Sequence, residues 1–375
     1  MKFISTQQNF CRGLSLTEKV IGKNFTLPIL QNILVSCEKS TGRVKLSSTD
    51  LEMGIEVIIP SKIEEEGSVA VPAKLISGFV RNLPDEKIDF SEKNNKISIH
   101  CANYKSNIKG QDSKEFPLMP QDKDADVSTL KTEDFISGIS HVINSASLLD
   151  IKPEISGVFV QFRELDTCFT ATDSFRLAEK TVKNSKKSSF LNKVIIPRRA
   201  CDVITRVFGD IKDSIDIKIN ENQITINSFS EDPTSQKIRF VSKITEGDYP
   251  NYEQIIPSSF TLVVGASKDE LIRHIKSASL FSNKIHEVIL QSNSKKQQLE
   301  IMSADAEYGD HYSVLPAKIQ GNDERVVLNC QYLLDGIQGL LFSTVSLKIN
   351  QANTPIMISS PEEGGFRYLL MPIKT

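Results

Sequence analysis

Apolar and polar positions along this 375-residue chain repeat on two scales. On the short scale, Phe10, Leu14 and Ile21 share a face near period 3.6, which predicts an amphipathic helix. Runs with β-branched alternation follow at Ile33–Cys37, Val44–Ser47 and Met53–Ile59. A second helix opens at Pro72, read as N1, where a missing N–H costs nothing. It is expected to turn Leu75, Ile76, Phe79, Val80 and Leu83 inward. Strands at Ile88–Phe90, Lys96–His100 and Ser106–Lys109 finish this first unit.

The long scale repeats that unit. A second helix–strand–helix–strand series begins near Thr132, read as an N-cap with Glu133 and Asp134 in the first turn, and is expected to bury Phe135, Ile136, Ile139, Val142 and Ile143. A third opens with the capping-box pattern Ser267-Lys268-Asp269-Glu270 ahead of Leu271, Ile272 and Ile275. Four landmarks hold their order in all three units. They are a helix centre (Phe10, Phe135, Leu271), an apolar run (Leu30–Val35, Ile155–Val160, Ile285–Leu290), a turn aspartate (Asp50, Asp173, Asp305) and a second helix start (Pro72, Pro197, Cys330). The first two sets lie 125, 125, 123 and 125 residues apart, and the second and third 136, 130, 132 and 133. Unrelated domains would not keep that spacing. The pattern predicts an α+β protein of three similar domains, at residues 1–121, 127–250 and 258–375, each a largely antiparallel sheet with two helices gathered on one face.

The connections fit three units. Asp122-Lys123-Asp124-Ala125-Asp126 breaks the first from the second, and the proline-bounded stretch from Asp248 to Pro257 joins the second to the third. Ser185-Lys186-Lys187-Ser188-Ser189 reads as a solvated loop. Hydrophobic content of 39% and charged content of 25% are those of a water-soluble globular protein. The first residues carry no apolar core of about 7–15 residues, and no run reaches the roughly 18 apolar residues of a membrane span. No membrane partner and a cytoplasmic location are therefore expected. Six scattered cysteines without a CxxC pair read as reduced, packed thiols.

No phosphate loop, dinucleotide turn, HExxH pair or nucleophile elbow occurs, and no catalytic residue, cofactor or metal is expected. The nearest metal pattern, Asp122-x-Asp124-x-Asp126 with Glu133, has Val127 where a calcium loop needs glycine. Asp50, Asp173 and Asp305 could tempt a catalytic reading. An aspartate after Thr or Ala between two strands more simply accepts bonds from backbone N–H groups in a turn.

Net charge is −2, so only the distribution of charge can point to nucleic acid. Arg12 and Lys19 lie two helical turns apart, as do Lys74 and Arg81, and Arg199 and Arg206; Arg273 and Lys276 are three apart. Each pair sits opposite an apolar stripe. Such faces would meet DNA phosphates without reading bases, and no aromatic interleaving points to single-strand stacking.

The chain resembles the bacterial sliding clamp family, the beta subunit of DNA polymerase III, over essentially its full length. The resemblance rests on segments in order: Thr26-Leu27-Pro28-Ile29-Leu30-Gln31-Asn32-Ile33-Leu34, Ser48-Thr49-Asp50-Leu51-Glu52-Met53, Val71-Pro72-Ala73-Lys74, Phe116-Pro117, Thr170-Ala171-Thr172-Asp173-Ser174-Phe175-Arg176-Leu177-Ala178, Val194-Ile195-Ile196-Pro197-Arg198, Tyr249-Pro250-Asn251-Tyr252 with Ile256-Pro257, and Leu369-Leu370-Met371-Pro372-Ile373-Lys374. It implies the DNA-clamp fold closed as a head-to-tail dimeric ring around duplex DNA, bound independently of sequence. It implies a homodimer contact through the strand bearing Tyr104 and Ile108 and the helix end at Leu280. It also implies a hydrophobic groove for short peptides of the DNA polymerase III catalytic subunit, the clamp loader and other proteins carrying a clamp-binding motif. Carried over by motif, the groove comprises Ile155, Thr172, Phe175, Arg176, Leu177, Pro250 and Ile255, with Ile285, Tyr332, Pro355, Met371, Pro372 and Ile373 from the third unit. Phe175 and Gln254 depart from the family pattern, as does Ser106 in the first-unit strand. A repeat-built scaffold that never touches DNA, and a nucleic-acid enzyme using the recurring aspartates, are the competing readings.

Overall fold

The computed structural model describes residues 1–22, 27–39, 42–120, 127–149, 151–184, 187–228, 236–351 and 353–374. The calcium-like pattern at Asp122–Asp126, the linker around it, part of the Ser185–Ser189 loop and Thr26 lie outside them. Six α-helices occur among the described residues, two per repeat: α1 (Gln7–Glu18), α2 (Ala73–Arg81), α3 (Thr132–Val142), α4 (Arg198–Phe208), α5 (Lys268–Ser279) and α6 (Cys330–Gln338). None is long and apolar enough to cross a membrane.

Contacts group the chain into two compact units, Met1–Ile136 with Arg199–Ile244, and Ser137–Arg198 with Thr245–Thr375. They do not follow the repeats, because neighbouring repeats share a sheet. In the first unit, strands Asn32–Glu38, Arg43–Thr49, Met53–Pro60 and Gly67–Pro72 continue into Lys237–Lys243, Gln223–Ser228, Ser214–Ile219 and Val127–Lys131 as one eight-stranded sheet. The join is antiparallel, with Met53 opposite Ser242 and Ile58 opposite Lys237. In the second unit a nine-stranded sheet is joined the same way, Arg176–Lys183 to Phe366–Leu370, with Arg176 opposite Leu370. Two smaller sheets keep open edges. The five-stranded sheet of the first unit ends on Tyr104–Lys109, and the four-stranded sheet of the second ends on Gly309–Pro316.

The helix centres Phe10, Phe135 and Leu271 are fully buried. Burying each stabilises by about 1.5–3 kcal/mol. Phe10 meets Phe3 and Phe90 edge-on, at 5.8 and 6.0 Å between ring centres, while Phe3 and Phe90 stack at 4.7 Å. The first helix of each of the first two repeats lies close on its sheet because of a glycine. A Cβ at Gly13 would strike Leu46 and Ile59, and one at Gly138 the ring of Phe169.

Local details differ from expectation. Pro72 is the N-cap of α2 rather than its first helical residue. The buried positions of α2 are Ala73, Ile76, Ser77 and Val80, so Leu75 points outward at 56% exposure and Phe79 is half-buried. Ser267 makes no capping bond; the Lys268 N–H instead donates to the Ser343 carbonyl at 2.7 Å. Thr132 lies inside α3, and its hydroxyl donates to the Asp213 carbonyl. Ile21 falls beyond the end of α1, and the helix expected to start at Cys330 does so, capped at Asn329, whose side chain accepts from the Gln331 and Tyr332 N–H groups.

Candidate functional site

The turn Thr172–Arg176 is built by its own side chains. The Thr172 hydroxyl accepts from the Ser174 N–H at 3.2 Å and donates to the Arg176 carbonyl at 2.7 Å. Asp173 Oδ1 accepts from the Phe175 and Arg176 N–H groups at 2.9 and 3.0 Å, and Ser174 takes a positive φ of 78°. The first repeat builds the same turn. Thr49 donates to the Met53 carbonyl, Asp50 Oδ1 accepts from the Glu52 and Met53 N–H groups, and Leu51 has φ 76°. Asp305 accepts from the Glu307 and Tyr308 N–H groups in the third. The recurring aspartates are turn residues, as their setting predicts. The second-repeat turn projects Phe175 into solvent at 62% exposure.

One wall beside the turn is the connection out of the second repeat. Tyr249 stacks on Phe159 at 4.6 Å between centres, and Tyr252 meets Tyr249 edge-on. Tyr252 is buried with Leu177 and Leu369, and its hydroxyl accepts from Thr170 at 3.0 Å. These contacts pin the segment to the sheet and leave Pro250 and Ile255 exposed; Glu253–Ile255 is a 3-10 turn. Burial pushes the Tyr249 and Tyr252 hydroxyls well above their usual range, so both stay neutral.

The opposite wall is the third repeat. Arg176 reaches it directly: Nε donates to Asp173 Oδ2 at 2.9 Å, Nη1 to Asp335, and Nη2 to the Asn144 carbonyl at 2.6 Å, with the guanidinium 4.2 Å over the Tyr332 ring. Burial alone would lower its pKa; the charges and hydrogen bonds of Tyr368, Asp335 and Asp173 outweigh that and raise it. Tyr368 donates to the Tyr332 carbonyl at 2.8 Å. The chain's end closes the corner. The Met371 N–H donates to the Phe175 carbonyl and the Ile373 N–H to the Val327 carbonyl, each at 2.8 Å.

The structure thus brings Thr172, Phe175, Arg176, Leu177, Tyr332, Met371 and Ile373 into one corner, with Pro250 and Ile255 on the pinned connection. Pro355 stands just before Ile356, which lies opposite Leu370. Ile285 is exposed, and its carbonyl accepts from the capping Asn329. Ile155, Leu177 and Pro372 are buried, so they form floor rather than open wall. Asp335, Tyr368, Asn144 and Tyr252 are essential to the corner and absent from the motif-based set. Of these only Tyr252 lies in a segment that carries the family resemblance, Tyr249-Pro250-Asn251-Tyr252.

The basic positions behave unequally. In the first unit Arg12, Lys19 and Arg81 border a depression of about 440 Å³ between α1, α2 and the end of α4. Lys19 donates to the Arg206 carbonyl, and Arg81 lies 3.7 Å from Glu18. Arg199 pairs with the buried Asp50 at 2.6 Å, so much of its charge is already met. Lys74, Arg206 and Lys276 are exposed, and Arg273 sits 3.9 Å from Glu270. Among the residues named for self-association, Tyr104 and Leu280 are exposed at 51% and 75%, whereas Ile108 is buried in its own sheet at 5%. No group of three or more His, Cys, Asp or Glu poised for a metal occurs among the described residues.

The DNA polymerase III beta subunit family matches the chain in three consecutive pieces, its N-terminal domain over residues 1–120, its central domain over 129–251 and its C-terminal domain over 253–374. The chain belongs to that family. A beta sliding clamp of Synechocystis is 25% identical over 399 residues, covering all of this chain and 99% of its own length. One from Staphylococcus epidermidis is 24% identical over 385 residues, with both chains fully covered. The solved sliding clamp of Bacillus subtilis superposes with a TM-score of 0.92 at 23% identity, over all of this chain and 99% of that one. The beta subunit of Streptococcus pyogenes gives 0.93 at 22%, with both covered in full. As a beta subunit of this family, the chain has the three-domain α+β clamp fold, and its function is that of a DNA sliding clamp, a processivity factor in replication.

Proposed function

We propose that two copies close head to tail into a ring that encircles duplex DNA and tethers replication proteins through the corner around Arg176. The carrying observation is the pair of open half-sheets. At both repeat junctions within the chain, the last strand of one repeat pairs with the strand that follows the aspartate turn of the other: Lys237–Lys243 with Met53–Pro60, and Phe366–Leu370 with Arg176–Lys183. The strands left over are Tyr104–Lys109, the last of the first repeat, and Gly309–Pro316, which follows the Asp305 turn. A second copy supplies each with its missing neighbour, and such edges otherwise invite association. The same contact made twice closes the assembly.

In this reading the clamp domains span 1–121, 127–250 and 258–375, and the helices face DNA. Arg12, Lys19, Lys74, Arg81, Arg206, Arg273 and Lys276 meet phosphates without base contacts, with Arg199 contributing what Asp50 leaves. The chain itself is non-catalytic and cytoplasmic. Its groove takes hydrophobic peptides of the polymerase catalytic subunit, the clamp loader and other motif-bearing proteins, anchored at Phe175, Ile255, Ile285, Met371 and Ile373.

Sedimentation tests the assembly. The chain should run as a dimer at micromolar concentration, and Tyr104→Asp with Leu280→Asp should give a folded monomer. A wild-type monomer at tens of micromolar overturns the ring.

A further inference from the structure

We propose that Asp335 is a positioning residue for peptide capture: it holds Arg176 so that the groove is assembled before a peptide arrives. This deepens the groove reading above and rests on it. Arg176 is nine-tenths buried, and its side-chain donors go to three places: Asp173 in its own turn, the Asn144 carbonyl beyond α3, and Asp335 on α6. The bond to Asp173 is local and cannot tie one repeat to another. Asp335 and Tyr332 stand three residues apart on α6, so one helix face offers both a carboxylate and an aromatic ring to the same guanidinium. With the Met371 N–H on the Phe175 carbonyl and the pairing of Arg176 with Leu370, these groups hold the turn to the third repeat, and Asp335 is the carboxylate among them.

The consequence reaches the peptide-facing groups. Arg176 shares its backbone with the turn that projects Phe175, and the Phe175 carbonyl takes the Met371 N–H. An Arg176 held against α6 therefore sets both Phe175 and Met371. Losing Asp335 leaves the guanidinium neutralised by Asp173, so the chain should still fold. The guanidinium is then free to leave α6 while the Met371–Phe175 bond and the Arg176–Leu370 pairing keep the turn on its sheet, so the turn's outer side is less firmly set and only a fraction of molecules presents the finished groove. Apparent affinity falls in proportion to that fraction.

The test uses the full-length chain and a fluorescein-labelled octapeptide ending in Leu-Phe, read by anisotropy and stopped flow, with melting temperature alongside. Asp335→Ala should weaken binding about tenfold, mainly through slower apparent association. Asp335→Asn keeps the shape of the site and should weaken it in the same direction. Arg176→Ala with Asp335→Ala should be no weaker than Arg176→Ala alone. Arg176→Lys should fail to rescue, because an ammonium cannot make the fork. Melting temperature and dimer mass should not move. Unchanged binding in both Asp335 variants overturns the inference while leaving the groove standing. So does an additive loss in the double variant, or a loss matched by lower melting temperature. A wild-type chain that ignores the peptide overturns the groove itself.

Discussion

Truncation after Leu370 removes the tail that closes the groove, and its effect can be worked from two kinds of contact. The tail makes two backbone hydrogen bonds, to Phe175 and Val327, and buries Pro372. At about 1 kcal/mol net per bond and a similar amount for the proline, the cost to stability is about 3 kcal/mol. Leu370 itself stays paired with Arg176 and Ile356, so the nine-stranded sheet should survive. Met371 and Ile373 are half-buried in the free chain. Covering the remainder with a peptide is worth about 1 kcal/mol each, roughly half of a full burial. Losing both weakens peptide binding by about 2 kcal/mol, near thirtyfold. Anisotropy with the octapeptide measures the affinity, and sedimentation confirms that the dimer persists. Unchanged affinity in the truncated chain would refute the placement of the site, because nothing else in the corner replaces those two side chains.

Three other perturbations test parts of the account. Gly138→Ala gains about 1 kcal/mol in helix propensity but drives a methyl into Phe169, costing about 1–3 kcal/mol; it should lower the melting temperature, whereas Gly78→Ala, with open space around it, should not. Arg199→Glu should lower stability, because it sets a carboxylate against buried Asp50, while Arg206→Glu should spare stability and reduce DNA affinity and its salt dependence; equal melting temperatures for the two would contradict the Asp50 pairing. The His141 side chain is largely covered beside Lys180, Glu363 and Phe366, with Nδ1 bonded to the Ser137 carbonyl at 2.7 Å. Burial lowers its pKa, the Ser137 bond opposes this, Lys180 lowers it further and Glu363 raises it. A folded-state pKa below the unfolded one gives stability that is complete above about pH 6.5 and is lost as pH falls through the folded value. Thermal melts from pH 7.5 to 5 should show that loss, and His141→Gln should flatten it; a wild-type chain that gains stability on acidification excludes it.

Periodicity and turn chemistry made the interior readable. Phe10, Phe135 and Leu271 are buried as their spacing demands, and Asp50, Asp173 and Asp305 accept the backbone bonds expected of them. What the pattern could not supply is which element lies next to which. Alternation in Met53–Pro60 shows that one face is buried but not that Lys237–Lys243 is its neighbour, so the shared sheets are invisible in sequence. The Asp50–Arg199 pair joins residues far apart in the chain, and helical spacing alone made Arg199 look like free surface charge. Ile108 alternates correctly for a strand, yet the face it occupies is the buried one. Phe175 and Met371, which the structure brings into one corner, lie in segments legible in the sequence, while Asp335 does not. Its role depends on α6 meeting the Arg176 side chain, a tertiary fact that a single polar residue on a helix does not announce.

Retention on DNA of different topology tests the central claim most directly. Labelled protein is loaded onto a nicked circular plasmid with a clamp loader, the plasmid is cut at one site in half of the sample, and bound protein is followed by gel filtration at raised salt. A ring held by topology stays on the circle, because salt screens its phosphate contacts but cannot open the path. The account predicts long retention on circular DNA and rapid loss from the ends of the linear form. Equal loss from both would contradict it.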